Sequence, residues 1–384
     1  MELLPAVLIG GPPHSGKSVL TYSLTQALRQ KDVGHYVLRA APDGEGDWAN
    51  EADQKLVRTI RIKGEFTPAF VDHVCDSLSR RHLPLLVDVG GKPTPYQERI
   101  FDFCTHAVLL TRDETSRAQW LAMAERHNLP IVADLTSRLE GEGQLSGARP
   151  VLRGVLTGLE RGRTASGPLF DALLARLGTI FDYDSAELRR IHHALAPVET
   201  VVDLDQLART FDVPLVGARA IWEPRFLPRV LDYLPEQTPL GLYGRGPNWL
   251  YAAVALRPYP QAFYQFDVRL GWVTPQPLRL GRPAPDAPLR ASVSQRAGHA
   301  WAEFHIPAAH LDYEEALNLT VPEPASGSGM ILSGKLPHWI YTALALTYAP
   351  HVAWLAVYQP PLDRAVVVSS TSGSPRLGDA ITVN

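Results

Sequence analysis

Residues Gly11-Pro12-Pro13-His14-Ser15-Gly16-Lys17-Ser18 place two glycines, a lysine and a hydroxyl at the spacing G-x-x-x-x-G-K-[ST]. Ahead of them, Ala6-Val7-Leu8-Ile9 is a short apolar run, expected as a buried parallel strand. Behind them, Val19 to Leu28 carries apolar residues at helical spacing. Strand, glycine turn and helix in that order commit this end of the chain to an α/β layer. The chemistry follows from the backbone. Consecutive N–H groups turn inward and the helix N-terminus adds a partial positive charge, so the turn suits a triphosphate. Gly11 and Gly16 allow the close approach that a Cβ would block. Lys17 is placed to reach the β- and γ-phosphates, and Ser18 offers its hydroxyl to Mg²⁺. The expected cofactors are therefore ATP and Mg²⁺, with the phosphates cradled from Gly11 to Val19 by Pro12, Pro13, His14, Ser15 and Gly16.

A second half-site is expected at Leu83-Pro84-Leu85-Leu86-Val87-Asp88, an apolar strand ending in an acid. Asp88 would hold the magnesium through water, in the manner of a Walker B strand. Lys17 and Asp88 are the candidate catalytic residues, and Ser18 and Asp88 the candidate metal ligands. Gly90 and Gly91 follow and let backbone pass close to a bound phosphate.

Composition sets outer bounds. The chain has 384 residues, 45% hydrophobic and 20% charged, which is globular and long enough for two or three cores. The net charge of −3 gives no general argument for binding duplex nucleic acid, so any anion site must be local. Cys75 and Cys104 are the only cysteines, which excludes a disulfide framework and a cysteine zinc site. Met1 to Pro5 lacks a basic leader, and no apolar run reaches about 18 residues. The expectation is a soluble, cytoplasmic protein with no membrane partner.

Residues 1–180 alternate strand-like and helix-like segments, which argues for a parallel sheet with covering helices. Further strands are expected at Tyr36-Val37-Leu38, Leu85 to Val89, Ala107 to Leu110 and Leu129 to Asp134. Helices are expected at Thr67 to Leu78, with Thr67 as N-cap and Pro68 at the first helical position, and at Thr115 to Asn128. The loop Ala41 to Trp48 carries Asp43, Glu45 and Asp47; it either holds a substrate hydroxyl or base, or is simply solvated. The later loop Thr157 to Arg163 either lends an arginine, Arg161, to the phosphates or is a solvated turn. Residues 181–235 read as a helical bridge, with helical patterns at Asp184 to Leu195 and Glu199 to Phe211. His192 and His193 there point to different faces and do not form a joint metal site.

The remaining chain contains an internal echo. Gly244-Arg245-Gly246-Pro247-Asn248-Trp249-Leu250-Tyr251-Ala252-Ala253 resembles Gly334-Lys335-Leu336-Pro337-His338-Trp339-Ile340-Tyr341-Thr342-Ala343, ninety residues on. Apolar strands follow each, Phe263 to Asp267 and Leu355 to Gln359. A duplicated strand-loop-helix-strand unit is the economical explanation. Each Gly-basic-x-Pro turn is either an anion cradle or a plain glycine turn before a proline-started helix.

Met330 to Ile340, Ala356-Val357-Tyr358-Gln359-Pro360 and Ala365-Val366-Val367-Val368-Ser369-Ser370 resemble a small CRISPR-associated family. It is the manganese-dependent ring nuclease family known as Csx-three or Crn-three. The resemblance covers about 290–384 and, in part, 237–275. It implies binding and cleavage of cyclic tetra-adenylate made by type III CRISPR systems. Some members are fused to an AAA-like P-loop domain, which residues 1–180 resemble. The family's metal ligands do not carry over. Its helix histidine falls at Leu346, its aspartate at Gln359 and its last histidine at Thr371. In the first copy an acid is kept as Asp267, but the helix position is Leu256. Leucine has no lone pair, and a neutral amide or hydroxyl is a poor ligand for Mn²⁺. Without metal, positioning of a ribose 2′-hydroxyl could still support cleavage. Ser333, Gly334, Lys335, Gly244 and Arg245 could serve a bound phosphate there.

The expected architecture is thus α/β: a P-loop domain at 1–180 and a helical bridge at 181–235. Two Csx-three-like, ferredoxin-like α+β modules follow, the abbreviated one at 236–285 and the other at 286–384. The expected function is an ATPase or phosphotransferase coupled to a degenerate module that binds a cyclic oligoadenylate. The alternatives are an active ring nuclease, a non-cleaving sensor, and a small-molecule kinase whose Asp43, Glu45 and Asp47 loop selects the acceptor. The family's assemblies imply a homo-oligomer, a dimer or tetramer.

Overall fold

A computed structural model describes residues 4–41, 67–160, 162–217, 219–296, 299–307, 311, 313–324 and 329–383. The acidic loop residues Asp43, Glu45 and Asp47, and Arg161, lie outside the described residues. The chain divides into two units, Met1–His192 and His193–Asn384. Both are mixed α/β and contain parallel strand pairs. No helix of the described residues is long and apolar enough to cross a membrane.

In the first unit, alternating apolar residues build one sheet with a core on each face. Its strands are β1 (Ala6–Gly10), β2 (Tyr36–Ala40), β3 (Leu85–Val89), β4 (His106–Thr111), β5 (Ile131–Arg138), β6 (Gln144–Gly147) and β7 (Leu152–Thr157). They run in the order β2-β3-β1-β4-β5-β7-β6, and all pairs are parallel except β6 with β7. Helices α1 (Lys17–Gln30), α2 (Pro68–Ser79), α3 (Glu114–Arg126) and α4 (Pro168–Ile180) alternate with the strands. A strand has a side-chain period of two. Ala6 and Leu8 of β1 therefore join one core, with Phe70, Val74, Phe101 and Trp120. Val7 and Ile9 join the other, with Leu20, Leu24 and Leu28 of α1 and Leu173 and Leu177 of α4. The same alternation in β3 sends Val87 to the first core and Leu86 to the second. Asp88, two residues on from Leu86, shares its face and so points to the side of α1.

Local signals set the helix starts. The Thr67 hydroxyl accepts from the Phe70 N–H, with Pro68 at the first position, as expected. Asp113 caps α3 in the same way through Ser116.

The second unit begins inside the segment expected as a bridge. The division falls within α5 (Ser185–Ala194), and β8 (Val201–Asp203) then pairs in parallel with β11 (Leu240–Tyr243). The bridge is thus not a separate element: residues beyond His192 belong to the second unit and supply a strand of its first sheet. After β8 come α6 (Leu204–Thr210), the short hairpin β9 (Leu215–Val216) and β10 (Arg219–Ala220), and α7 (Leu227–Tyr233). Beyond β11 lie α8 (Asn248–Leu256), β12 (Phe263–Asp267), β13 (Gly271–Val273) and β14 (Arg279–Leu280). Then follow β15 (Arg290–Arg296), β16 (His299–His305), α9 (Tyr313–Ala316), β17 (Thr320–Val321) and β18 (Gly329–Gly334). The chain closes with α10 (His338–Tyr348), β19 (Trp354–Gln359), β20 (Arg364–Ser370) and β21 (Ala380–Thr382).

One sheet runs β13-β12-β11-β8 and a second β15-β16-β18-β19-β20-β21, with β14 paired to β17 apart from both. The sequence echo is an echo of topology. In β8-β11-α8-β12-β13 and in β16-β18-α10-β19-β20, two parallel pairs are followed by one antiparallel pair. The expected ferredoxin-like pattern is not what forms. That pattern splits its βαβ strands with another strand between them, whereas β18 and β19 are hydrogen-bonded neighbours. The two sheets share one core, in which Trp249, Leu250 and Val254 pack with Trp339, Ile340 and Leu344.

Candidate functional site

The glycine turn lies at the carboxyl end of β1, the edge at which open parallel sheets bind ligands. Its backbone is one that only some residues tolerate. Gly11 has φ +154° and Gly16, the N-cap of α1, has φ +91°. A Cβ on Gly11 would lie 2.0 Å from the Leu110 carbonyl oxygen, so the turn can follow this path only with glycine there. His14 holds φ +60° without being glycine, a local strain of the kind found at ligand clamps.

The side chains converge on the space inside the turn. The Lys17 ammonium donates to the carbonyls of Gly11 (2.8 Å) and Pro12 (2.9 Å), so it lies across the turn rather than out in water. Burial lowers its pKa to about 8; the Asp88 carboxylate opposes that shift and Arg112 adds to it. The Ser18 hydroxyl donates to Asp88 Oδ2 at 3.0 Å. The loop strand and the acid strand are direct neighbours, with Ile9 opposite Asp88, which is why these two residues meet. Asp88 is buried at 4% exposure; burial pushes its carboxyl up, and Arg39, Lys17 and Ser18 pull it back.

The donor set suits the implied groups. The Ser18 hydroxyl and the Asp88 carboxylate are hard oxygen donors of the kind Mg²⁺ takes. The Ser15 hydroxyl is buried in the turn with no hydrogen-bond partner among the described residues. A Cβ on Gly91 would sit 2.5 Å from the Pro13 ring, so the turn after Asp88 closes onto the loop as the paired glycines suggest. The late loop also reaches the site: Leu159 packs against Gly16, where an added Cβ would meet it at 2.7 Å. In that loop Arg163 pairs with Glu160 at 3.4 Å, both largely exposed.

Two cations escaped the sequence reading. Arg39, the last residue but one of β2, lies directly opposite Asp88 in the strand register, and its Nη1 donates to Asp88 Oδ2 at 3.0 Å. Arg112 follows β4 and acts on Lys17 through its charge. The signal for Arg39 was present: Tyr36-Val37-Leu38 is an apolar strand followed by a charge, as with Asp88.

The residues of the second unit behave differently. Gly244 and Gly334 both hold positive φ, +104° and +147°. Tyr251 donates to the Gly244 carbonyl, and Tyr341 to that of Gly334 at 2.5 Å, the same bond in each copy. Arg245 and Lys335 are exposed, each on its own turn, whereas Ser333 is buried in β18. Between the copies, the His338 ring stacks flat on Tyr251, 4.4 Å between centroids and 13° between planes. The Thr342 hydroxyl donates to Gln265 Oε1 at 2.7 Å. Burial lowers the His338 pKa, against the pull of Asp267.

At the three metal positions implied by the resemblance, Leu346 is buried on α10 and Gln359 ends β19, while Thr371 donates to the Ala353 carbonyl at 3.1 Å. Asp267 accepts from the N–H groups of Arg269 and Leu270. Among the described residues, no group of three or more His, Cys, Asp or Glu is gathered to hold a metal ion.

A family model described as CRISPR-associated protein (Cas_csx3) matches residues 304–382. That span runs from the end of β16 to β21 and includes Gly334, Lys335 and α10. A CRISPR-associated Csx3 module is thereby indicated at this end of the chain. Comparison with curated proteins gives no match.

Proposed function

We propose that the first unit binds ATP with Mg²⁺ and transfers or hydrolyses the γ-phosphoryl group, and that the second binds a cyclic oligoadenylate in type III CRISPR signalling. The meeting of Ser18 and Asp88 at 3.0 Å, beside an inward-lying Lys17, carries the first half. Ser18 and Asp88 would hold Mg²⁺, whose charge would help neutralise the phosphates when it is bound. The turn's N–H groups would fix the phosphates in line. Lys17 would move its ammonium from the two carbonyls to the phosphate oxygens and stabilise charge developing in the transition state. Lys17→Ala should abolish ATP turnover and weaken ATP binding in calorimetry. Unchanged turnover in that variant would sink the assignment.

The second half rests on the Csx3 match and the duplicated turns. Leu346, Gln359 and Thr371 favour binding without manganese-dependent cutting, since none is a strong ligand. Labelled cyclic tetra-adenylate, incubated with the protein with and without Mn²⁺, separates the readings. Intact ligand in a stable complex supports a sensor, linear product supports a nuclease, and no binding removes the signalling role.

A further inference from the structure

The carboxylate that the proposed reading gives to a divalent cation already has a cationic partner. Asp88 Oδ2 accepts from Ser18 Oγ and from Arg39 Nη1, each at 3.0 Å. The register sets Arg39 directly across from Asp88 on neighbouring parallel strands, so the two side chains share a face. The side chain of Asp88 is 6% exposed and that of Arg39 12%, so water screens the pair weakly. The Arg39 Nε is buried and has no hydrogen-bond partner among the described residues. One nitrogen of the fork is spent on Asp88 while another is left over, which is not the two-point grip an arginine makes in a settled carboxylate pair. Compare Arg117, which holds Asp134 through Nε and Nη2 together, at 2.9 and 2.6 Å. The same buried acid type thus has a two-point partner on β5 and a one-point partner at the phosphate turn.

We propose that Arg39 is an exchangeable counter-ion for Asp88: the guanidinium holds the carboxylate until a divalent cation replaces it, and so sets metal affinity at the turn. The inference rests on the P-loop reading. A fixed positive charge within hydrogen-bond reach of the carboxylate opposes any second cation placed there, and in a weakly screened site that opposition is large. Removing the guanidinium should leave a buried carboxylate hydrogen-bonded to Ser18, with Lys17 still acting on it through its charge, a site that a divalent cation would occupy more readily. Arg39 is a positioning residue in this account, since it acts through Asp88.

The test uses the full chain with Mn²⁺ alone, read by electron paramagnetic resonance, and ATP calorimetry run in parallel. Arg39→Gln should bind Mn²⁺ about tenfold more tightly than the wild type, the range for losing one close ion pair. Added Mn²⁺ should also raise its melting temperature more than that of the wild type. Adding Asp88→Asn to Arg39→Gln should remove the gain. Equal or weaker Mn²⁺ affinity in folded Arg39→Gln, or a gain that survives Asp88→Asn, overturns the proposal. If Arg39→Gln does not fold, Arg39→Met serves: it keeps the apolar stem, removes the charge and should likewise tighten Mn²⁺ about tenfold, and no change overturns the idea. Loss of ATP binding by the wild type would instead defeat the P-loop reading itself, whatever Mn²⁺ does.

Discussion

The glycine turn at Gly11–Ser18 and the paired turns at Gly244–Pro247 and Gly334–Pro337 share a plan. Each has a glycine at positive φ, a nearby cation and a helix just beyond. They differ in what surrounds them. At the first turn the cation is buried and lies inward, and β3 delivers a carboxylate to meet the hydroxyl beside it. At the other two, the cations are exposed and the glycine carbonyl is taken by a tyrosine of the following helix. A glycine turn before a helix is therefore a backbone solution that serves two ends. On the proposed reading the first turn serves as a phosphate site because neighbouring strands bring charge to it, whereas at the other two a tyrosine caps the glycine carbonyl and the exposed cation is what is left to meet a ligand.

The largest effect that would sharpen this contrast is on Lys17. Its pKa is lowered from 10.5 to about 8 by burial. Between those values the folded protein has lost a proton that the unfolded chain still holds, so stability rises with pH across that window and levels off above it. The gain is about 3 kcal/mol. ATP affinity should move the other way and fall above pH 8, because the phosphates need the ammonium. Urea unfolding and calorimetry at pH 7 and pH 10 test both signs. Lys17→Met should flatten both curves, while Lys335→Ala should leave ATP binding as it was. A wild-type stability that falls between pH 8 and pH 10 would break the contrast.

Next in size is the glycine pair. A Cβ at Gly334 would lie 2.1 Å from the Phe304 carbonyl oxygen, its partner across β16 and β18. At Gly244 the nearest atom is the Leu204 Cβ, at 3.3 Å. Both carry the strain of positive φ, but only at Gly334 would the Cβ clash with backbone; at Gly244 the nearest backbone atom, the Leu204 nitrogen, lies at 3.4 Å, an ordinary contact. Gly334→Ala should cost about 2–3 kcal/mol and Gly244→Ala about 1–2 kcal/mol, by denaturant unfolding. Equal costs would mean that strand pairing at β18 yields as easily as the side-chain contact at β11.

How far the sequence announces these features depends on how local they are. Strand β1, the turn and α1 are contiguous, and their spacing alone predicted them. Asp88 was legible because an acid ends an apolar run, and Arg39 was equally exposed to that reasoning; what the sequence does not carry is the strand order that sets the two face to face. Strands β6 and β7 went unread. Glycines and polar residues interrupt Gln144–Gly147 and Leu152–Thr157, and Gly154 is there because the Gln144 carbonyl lies where its Cβ would be. Strand β8 is three residues long and gains its identity only by pairing with β11, some forty residues later. The echo of the second unit was visible because Trp249 and Trp339, Tyr251 and Tyr341 do the same work in one shared core.

The tyrosines give the smallest effect and the finest comparison. Each hydroxyl donates to the carbonyl of the glycine seven residues before it. Removing one hydroxyl strands a partly buried carbonyl, at about 1 kcal/mol. The two rings are not equivalent, however. Tyr251 also carries the stacked His338 ring, whereas Tyr341 has the Thr342 hydroxyl next to it, bonded across to Gln265. Phenylalanine keeps the stack and loses only the hydrogen bond, so Tyr251→Phe and Tyr341→Phe should cost the same. Tyr251→Leu should then cost more than Tyr251→Phe, because the flat partner of His338 goes as well. The His338 imidazole, followed by nuclear magnetic resonance, should titrate closer to its ordinary range in Tyr251→Leu, since opening the stack lets water reach a ring whose pKa burial lowers. An unmoved titration would place the desolvation of His338 with the rest of the α8 and α10 contact rather than with the tyrosine.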